Sequence, residues 1–135
     1  MDLLAEKDGY RYYSIRYDPS TSFTSPLGNA PFAALLWDDS GFSDESIRRR
    51  LGNELLAQQC RYAVCAGHNC EQWHDAIDMA FINLDLQGVE YDRRFIMTTW
   101  HPNESEEDTT TFFVHNTIGL EGDAADHILI YMGND

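Results

Sequence analysis

The strongest constraint on the fold is an alternation of short apolar runs with segments of helical periodicity. The longest apolar run is Phe32 to Trp37, which has the length of a strand and ends at an Asp-Asp pair. Such runs are typical of strands covered on both faces of a parallel sheet. The alternation predicts a three-layer α/β domain, Rossmann-like or flavodoxin-like, with a mainly parallel sheet and helices on its faces. The predicted core strands and helices are strands 32–37, 61–66, 94–100 and 127–132, and helices 44–59, 70–86 and 105–116.

Capping residues mark where the predicted helices begin and end. Ser43 and Asn69 are both suited to accept a hydrogen bond at the start of a helix. Ser105 followed by Asp108 resembles a capping box in which Asp replaces the usual Glu. Gly88 is expected to end the second helix, because glycine is common just after a helix.

The first 31 residues differ from the rest of the chain. Residues 10–17 alternate between two faces, which predicts a strand, and we place it at the edge of the sheet. Residues 18–31 are rich in Pro, Ser, Gly and Asn, which predicts a long loop. The alternating core then spans residues 32–132, and a chain of 135 residues has the length of one domain.

Two features indicate a cytoplasmic protein. No apolar run approaches the roughly 20 residues needed to cross a bilayer, and the first residues lack the pattern of a secretion signal. The three cysteines, Cys60, Cys65 and Cys70, are an odd number for a disulfide framework. We therefore expect reduced thiols.

The charge is strongly acidic and unevenly distributed. Acidic residues outnumber Lys and Arg by 23 to 9, and residues 68–135 hold fourteen acidic against two basic residues, a formal charge of −12. Such a field repels phosphate backbones and anionic lipids, so direct binding to nucleic acid or to a membrane is disfavoured. A basic protein surface is a more natural partner, although negative charge also serves solubility alone.

The sequence contains none of the common cofactor or nucleotide motifs, so no cofactor is expected. In a parallel sheet, however, ligands bind beyond the carboxyl ends of the strands. Polar side chains that follow predicted strands include Asp38, Cys65, His68 and His101. Together they suggest a Cys–His–Asp arrangement with a thiolate nucleophile, a histidine base and an orienting carboxylate.

Two other interpretations apply to the Cys and His residues. Cys65, His68, Cys70 and His74 could bind zinc, but all four lie within ten residues, whereas structural zinc ligands usually come in two separated pairs. We therefore predict no metal site. Helical periodicity turns Cys70 toward the core, and His74 lies one turn before Asp78 on a solvated face.

Two clusters of charge remain. Arg48, Arg49 and Arg50 spread around a helix, where pairing with neighbouring acids or binding of an anion is expected. An acidic run opens the third predicted helix: Glu104, Glu106, Glu107 and Asp108. Carboxylates favour this position, but four exceed what capping requires, so we predict an interaction surface there.

These observations support two hypotheses. The first is a small acidic protein-binding module, of the inhibitor, immunity-protein or accessory-subunit type, that docks on a basic partner surface. The second is a small enzyme or ligand sensor that uses Asp38, Cys65, His68 and His101. The absence of cofactor motifs and the charge favour the first over an enzyme.

Overall fold

The computed structural model describes residues 2–18, 21–41, 43–117 and 126–133. They form one α/β domain with a six-stranded, mostly parallel sheet and four helices. In chain order the elements are β1 (Asp2–Lys7), β2 (Tyr10–Arg16), β3 (Phe32–Asp38), α1 (Glu45–Ala57), β4 (Cys60–Gly67), α2 (Cys70–Asn83), α3 (Gly88–Arg94), β5 (Met97–His101), α4 (Glu106–Asn116) and β6 (Asp126–Met132).

The strand order is β1-β2-β6-β3-β4-β5. Strand β1 is antiparallel to β2, and all other neighbours are parallel. From β3 the chain proceeds outward to β4 and β5, and then returns through α4 to place β6 on the other side of β3. The carboxyl ends of β3 and β6 therefore lie at the point where the direction of the connections reverses.

The sheet has a hydrophobic core on each face. Helices α1 and α2 cover one face with residues such as Leu51, Leu55, Trp73 and Ile77, all fully buried. On the opposite face, α4 contributes Phe113 to a smaller core. Strand β3 supplies side chains alternately to both cores, which explains why its sequence is continuously apolar.

The predicted α/β class, the mainly parallel sheet and the helices on both faces are confirmed. The exact Rossmann or flavodoxin arrangement is not, because β6 is inserted between β2 and β3 and an antiparallel strand closes one side.

The prediction that the first aromatic strand lies at the edge was wrong. Strand β2 is interior, since β1 pairs with its outer side and β6 with its inner side. Half of the residues of β1 are charged, and all six are exposed, so neither alternation nor burial marks it as a strand. A two-residue turn at Asp8 and Gly9, both with positive φ, joins the two strands.

The segment before the third predicted core strand also differs from expectation. Helix α2 ends at Asn83, and Gly88 begins α3 instead of ending α2. The rings of Tyr91 and Phe95 lie 5.2 and 5.8 Å from that of Phe81, which holds α3 against the end of α2. Strand β5 consequently starts at Met97 and forms the second edge of the sheet, not part of its buried centre.

The predicted caps are confirmed at one helix and corrected at two. Ser105 caps α4 by accepting a hydrogen bond from the Asp108 amide at 3.0 Å. At α1 the cap is Asp44, not Ser43; its carboxylate accepts from the Ile47 amide, and these hydrogen bonds lower the pKa of Asp44. Asn69 stands at the start of α2 in a left-handed conformation, and its side chain makes no capping bond.

No helix in the described ranges is both long and apolar enough to cross a membrane. The longest of them, α2, has 14 residues.

Gly67, at the end of β4, permits a close approach of two chain segments. Its φ is +79°, and a Cβ there would overlap the backbone carbonyl of Asp38. Gly9 has a similar φ of +85° but open space around it.

We predict that Gly67→Ala lowers the free energy of unfolding by about 3 kcal/mol or more, because it adds a backbone clash to left-handed strain. Gly9→Ala should cost only the strain, about 1–2 kcal/mol. Chemical denaturation of both variants measures the difference, and equal losses would show that Gly67 is not held tightly against Asp38.

Candidate functional site

The carboxyl ends of β3 and β4 are joined through Asp38. Its side chain is 0% exposed, and its Oδ1 accepts hydrogen bonds from the Ser40 amide and hydroxyl and from the Gly41 amide at 2.8–3.0 Å. Its Oδ2 accepts from Trp73 Nε1 at 3.0 Å. The Asp38 carbonyl accepts from the His68 amide at 2.6 Å. Both carboxylate oxygens of Asp38 are thus hydrogen-bonded within the protein. They fix the turn after β3 and the Trp73 indole of α2.

We predict that Asp38→Ala lowers the free energy of unfolding by about 3 kcal/mol or more, because it leaves a buried indole N–H and turn amides without acceptors. Asp39→Ala is the matched control. The Asp39 carboxylate is exposed, and among the described residues it accepts only from the Tyr131 hydroxyl, at 3.0 Å, so its loss should cost less than about 1 kcal/mol. Similar losses for both variants, measured by urea denaturation, would contradict this role.

The three thiols are free and buried on the face of the sheet that carries α1 and α2. Burial raises the pKa of Cys60 to about 12 and that of Cys65 well above its ordinary value. Cys70 packs in the same core, as helical periodicity predicted. Neutral, buried thiols are poor nucleophiles, because the thiolate is the reactive form.

The two histidines proposed for catalysis lie elsewhere. His101 is on the opposite face of the sheet from Cys65, where its ring packs 4.4 Å from that of Phe112. Its Nδ1 lies 3.0 Å from Glu104 Oε2, and its Nε2 lies 3.0 Å from Thr99 Oγ1. His68 is exposed and lies beside Gly41.

The four candidates Asp38, Cys65, His68 and His101 therefore do not meet in one pocket. Asp38 is enclosed, Cys65 is buried under α2, and the sheet separates Cys65 from His101. Parallel strands bring their carboxyl ends to one edge, but residues at successive positions point to opposite faces. The sequence therefore predicts that these residues lie at or just after strand ends, but it does not specify which face of the sheet each side chain occupies.

No group of three or more His, Cys, Asp or Glu side chains in the described part of the chain is arranged to bind a metal. His74, considered among possible zinc ligands, instead contacts two carboxylates: its Nδ1 lies 3.0 Å from Asp75 Oδ1 and its Nε2 lies 3.4 Å from Asp78 Oδ2. The expected pair with Asp78 is present, and the ring also packs 4.5 Å from that of Trp100.

The buried thiols predict an alkaline dependence of stability. In the unfolded chain a thiol ionises near pH 9, whereas Cys60 stays protonated in the fold up to about pH 12. The free energy of unfolding should therefore fall as pH rises from 9 to 12, and this loss should be about 1.4 kcal/mol per pH unit less steep in Cys60→Ala. Urea denaturation across this range measures both slopes. Parallel curves would show that Cys60 ionises equally in both states.

The arginine cluster is engaged within the protein, as expected. Arg49 pairs with Glu45 at 2.7 Å and Arg50 with Glu54 at 3.7 Å. Arg48 donates to the backbone carbonyl of Ser43 at 2.8 Å. Arg48 and Arg49 also line an open groove of about 560 Å³ between α1 and α2.

Acidic side chains and two exposed apolar side chains lie on β5, on the helix beside it and just after it in the chain, and we call them the β5 surface. It comprises Met97 and Trp100 of β5, Asp75 and Asp78 of α2, and Glu104, Glu106, Glu107 and Asp108 at the start of α4. Met97 is 46% and Trp100 44% exposed, although both belong to a strand. Asp78 accepts from the Thr98 hydroxyl at 2.6 Å, which fixes one carboxylate against the strand.

The predicted acidic run lies at the carboxyl end of β5. Glu106, Glu107 and Asp108 are exposed in the first turn of α4, and none pairs with a Lys or Arg in the described ranges. Residues 118–125 and 134–135, which hold three further acids of the C-terminal half, lie outside the described residues. Trp100 and Met97 were missed because β5 was assigned to the buried centre. Two polar threonines in mid-strand were the available signal of a half-exposed strand.

The fold and the β5 surface define the class: a small acidic α/β domain whose described sheet ends on the uncharged edge strand β5. Residues 12–135 match the family described as Domain of unknown function (DUF7684). The match covers nearly the whole chain, and the protein belongs to this family. No curated protein matches the sequence, and no solved structure does.

Proposed function

We propose that this protein is a binding module that docks through the β5 surface onto a basic surface of a partner protein. The action is that of an inhibitor, an immunity protein or an accessory subunit: the bound module covers or completes the partner's own site. The proposal locates the protein in the cytoplasm, where unbridged thiols persist.

One observation carries the proposal: Trp100 is 44% exposed although it lies in a strand, and its ring packs 4.5 Å from that of His74, which two carboxylates contact. Tryptophan is enriched among the residues that contribute most to protein interfaces. Here the ring is held in place by His74 below it, and His74 is itself fixed by Asp75 and Asp78. A rigid aromatic side chain loses little conformational entropy on binding, which favours a role as an anchor.

The charge distribution specifies the kind of partner. Trp100 provides an exposed apolar anchor, and the acidic run begins four residues later in the chain. A matching partner surface would therefore present Lys or Arg next to an apolar contact. The formal charge of −14 extends the attraction beyond the contact itself and speeds encounter with a positive surface. The same charge opposes phosphate backbones and anionic lipids.

The test begins with capture of partners from the source cell, followed by association kinetics of the purified pair. The triple variant Glu106→Gln, Glu107→Gln, Asp108→Asn should associate more slowly than the parent at low salt, because it removes three exposed negative charges from the start of α4. Raising salt should slow the parent toward the variant, since the Debye length shrinks from about 10 Å at 0.1 M to about 3 Å at 1 M. Glu104 is left intact because it contacts His101.

A matched control removes the same charge from the opposite edge of the sheet: Asp2→Asn, Glu6→Gln, Asp8→Asn. This variant should associate nearly as fast as the parent. Trp100→Ala should act on dissociation instead and speed it about 30-fold, as expected for an anchor worth about 2 kcal/mol. Association that is independent of salt and equal in both triple variants would mean that the acidic residues serve only solubility.

A further inference from the structure

We propose that β5 is a strand-addition site, at which an extended basic segment of the partner pairs with β5 as a seventh strand of the sheet. This inference rests on the proposed function and specifies how the partner is held. The two edges of the sheet differ in charge and in regularity.

The β1 edge carries the features that normally prevent strand addition. Three of its six residues are charged, Asp2, Glu6 and Lys7, and its register with β2 is interrupted between Leu3 and Ala5. Charged side chains and bulges on edge strands are the usual protection against unwanted pairing. Strand β1 is therefore an edge strand that is protected against the addition of another strand.

The β5 edge lacks that protection. Its sequence, Met-Thr-Thr-Trp-His, contains no Lys, Arg, Asp, Glu or Pro, and its register with β4 is regular over all five residues. Thr and Trp are among the residues that favour strands. Within the described residues, no strand pairs with the outer side of β5. The backbone groups on that side are thus available to another strand, the arrangement used in recognition by strand addition.

The carboxylates beside β5 select a basic occupant. Asp78 is bonded to Thr98 on the face that carries α2, and Asp75 is exposed one turn earlier in the same helix. A strand paired with β5 would place alternate side chains near Asp78 and Trp100, since opposed residues lie about 4.5–5.5 Å apart. Lys or Arg there could bond the carboxylate and lie over the indole ring.

On the opposite face of β5, apolar side chains of the added segment are favoured. Met97 and Thr99 lie on that face, with Met97 46% exposed. The added segment should therefore alternate basic and apolar residues. A second copy of this chain fits poorly, because its own β5 has no basic residue and a shared sheet would bring the two α2 helices, each with Asp75 and Asp78, together.

The test uses a synthetic octapeptide of alternating Lys and Val with N-methyl groups on every Val, which leaves one backbone edge able to pair. The probe is added to the full-length ¹⁵N-labelled protein, and amide hydrogen exchange is measured by NMR. With the peptide at about ten times its Kd, the outward amides of β5 should exchange about tenfold more slowly. Amides of β1 should not change.

Two control peptides separate strand addition from charge attraction. The same peptide N-methylated at every residue keeps its charges but has no backbone N–H with which to pair. A peptide of alternating Glu and N-methyl Val keeps one free backbone edge, but its negative charge is repelled by the carboxylates beside β5. Neither control should protect the β5 amides. Equal protection by the fully methylated peptide, protection at β1, or no protection by any peptide would each overturn strand addition. So would a concentration-dependent dimer that protects β5 without peptide. None of these results alters the salt dependence of the partner's association rate, which tests the proposed function separately.

Discussion

The buried carboxylate of Asp38 is the interaction on which the arrangement of the sheet ends depends. It links the end of β3 to the following turn through Ser40 and Gly41, and to α2 through the Trp73 indole. Its backbone carbonyl accepts the amide of His68, which follows β4. A buried polar group is tolerated only when its hydrogen bonds are satisfied, and here four donors surround the two oxygens. Because both oxygens of Asp38 already accept hydrogen bonds within the protein, this side chain is not available to bind a ligand.

The same packing keeps the side chains of Asp38, Cys65, His68 and His101 from meeting in one pocket. The close approach of Gly67 to Asp38 fills the space between β3 and β4 with backbone. The thiol of Cys65 lies beneath α2 in an apolar core, where burial keeps it protonated. His101 is turned to the other face by the alternation of its strand. Asp38 and Cys65 are therefore packed within the protein, whereas Trp100 in β5 is exposed.

The two edge strands of the sheet differ in charge and regularity because they come from different parts of the chain. The first residues return on β2 and form a charged, interrupted edge. Strand β5 follows a helical segment, leads directly into the acidic start of α4, and keeps an uncharged edge between carboxylates. An open edge is an aggregation hazard unless something limits what binds there. Under the proposed function, the carboxylates of α2 and of the start of α4 would do so, because they would repel a second copy and attract basic chains.

The sequence by itself determined the α/β class, the position of most helices and strands, and the acidic start of α4, because these depend on local periodicity, capping and charge. Ser105 and Asp108 formed the predicted cap for this reason. Only the tertiary structure decided which strand is an edge, since strand order depends on pairings between distant residues. The run Met97–His101 and the run Tyr10–Arg16 both suggested strands, yet their expected places were exchanged: the first is at the edge and the second is interior. The strand order and the face that each residue occupies left Trp100 exposed and enclosed Asp38 and Cys65. Local sequence specifies neither of these two features.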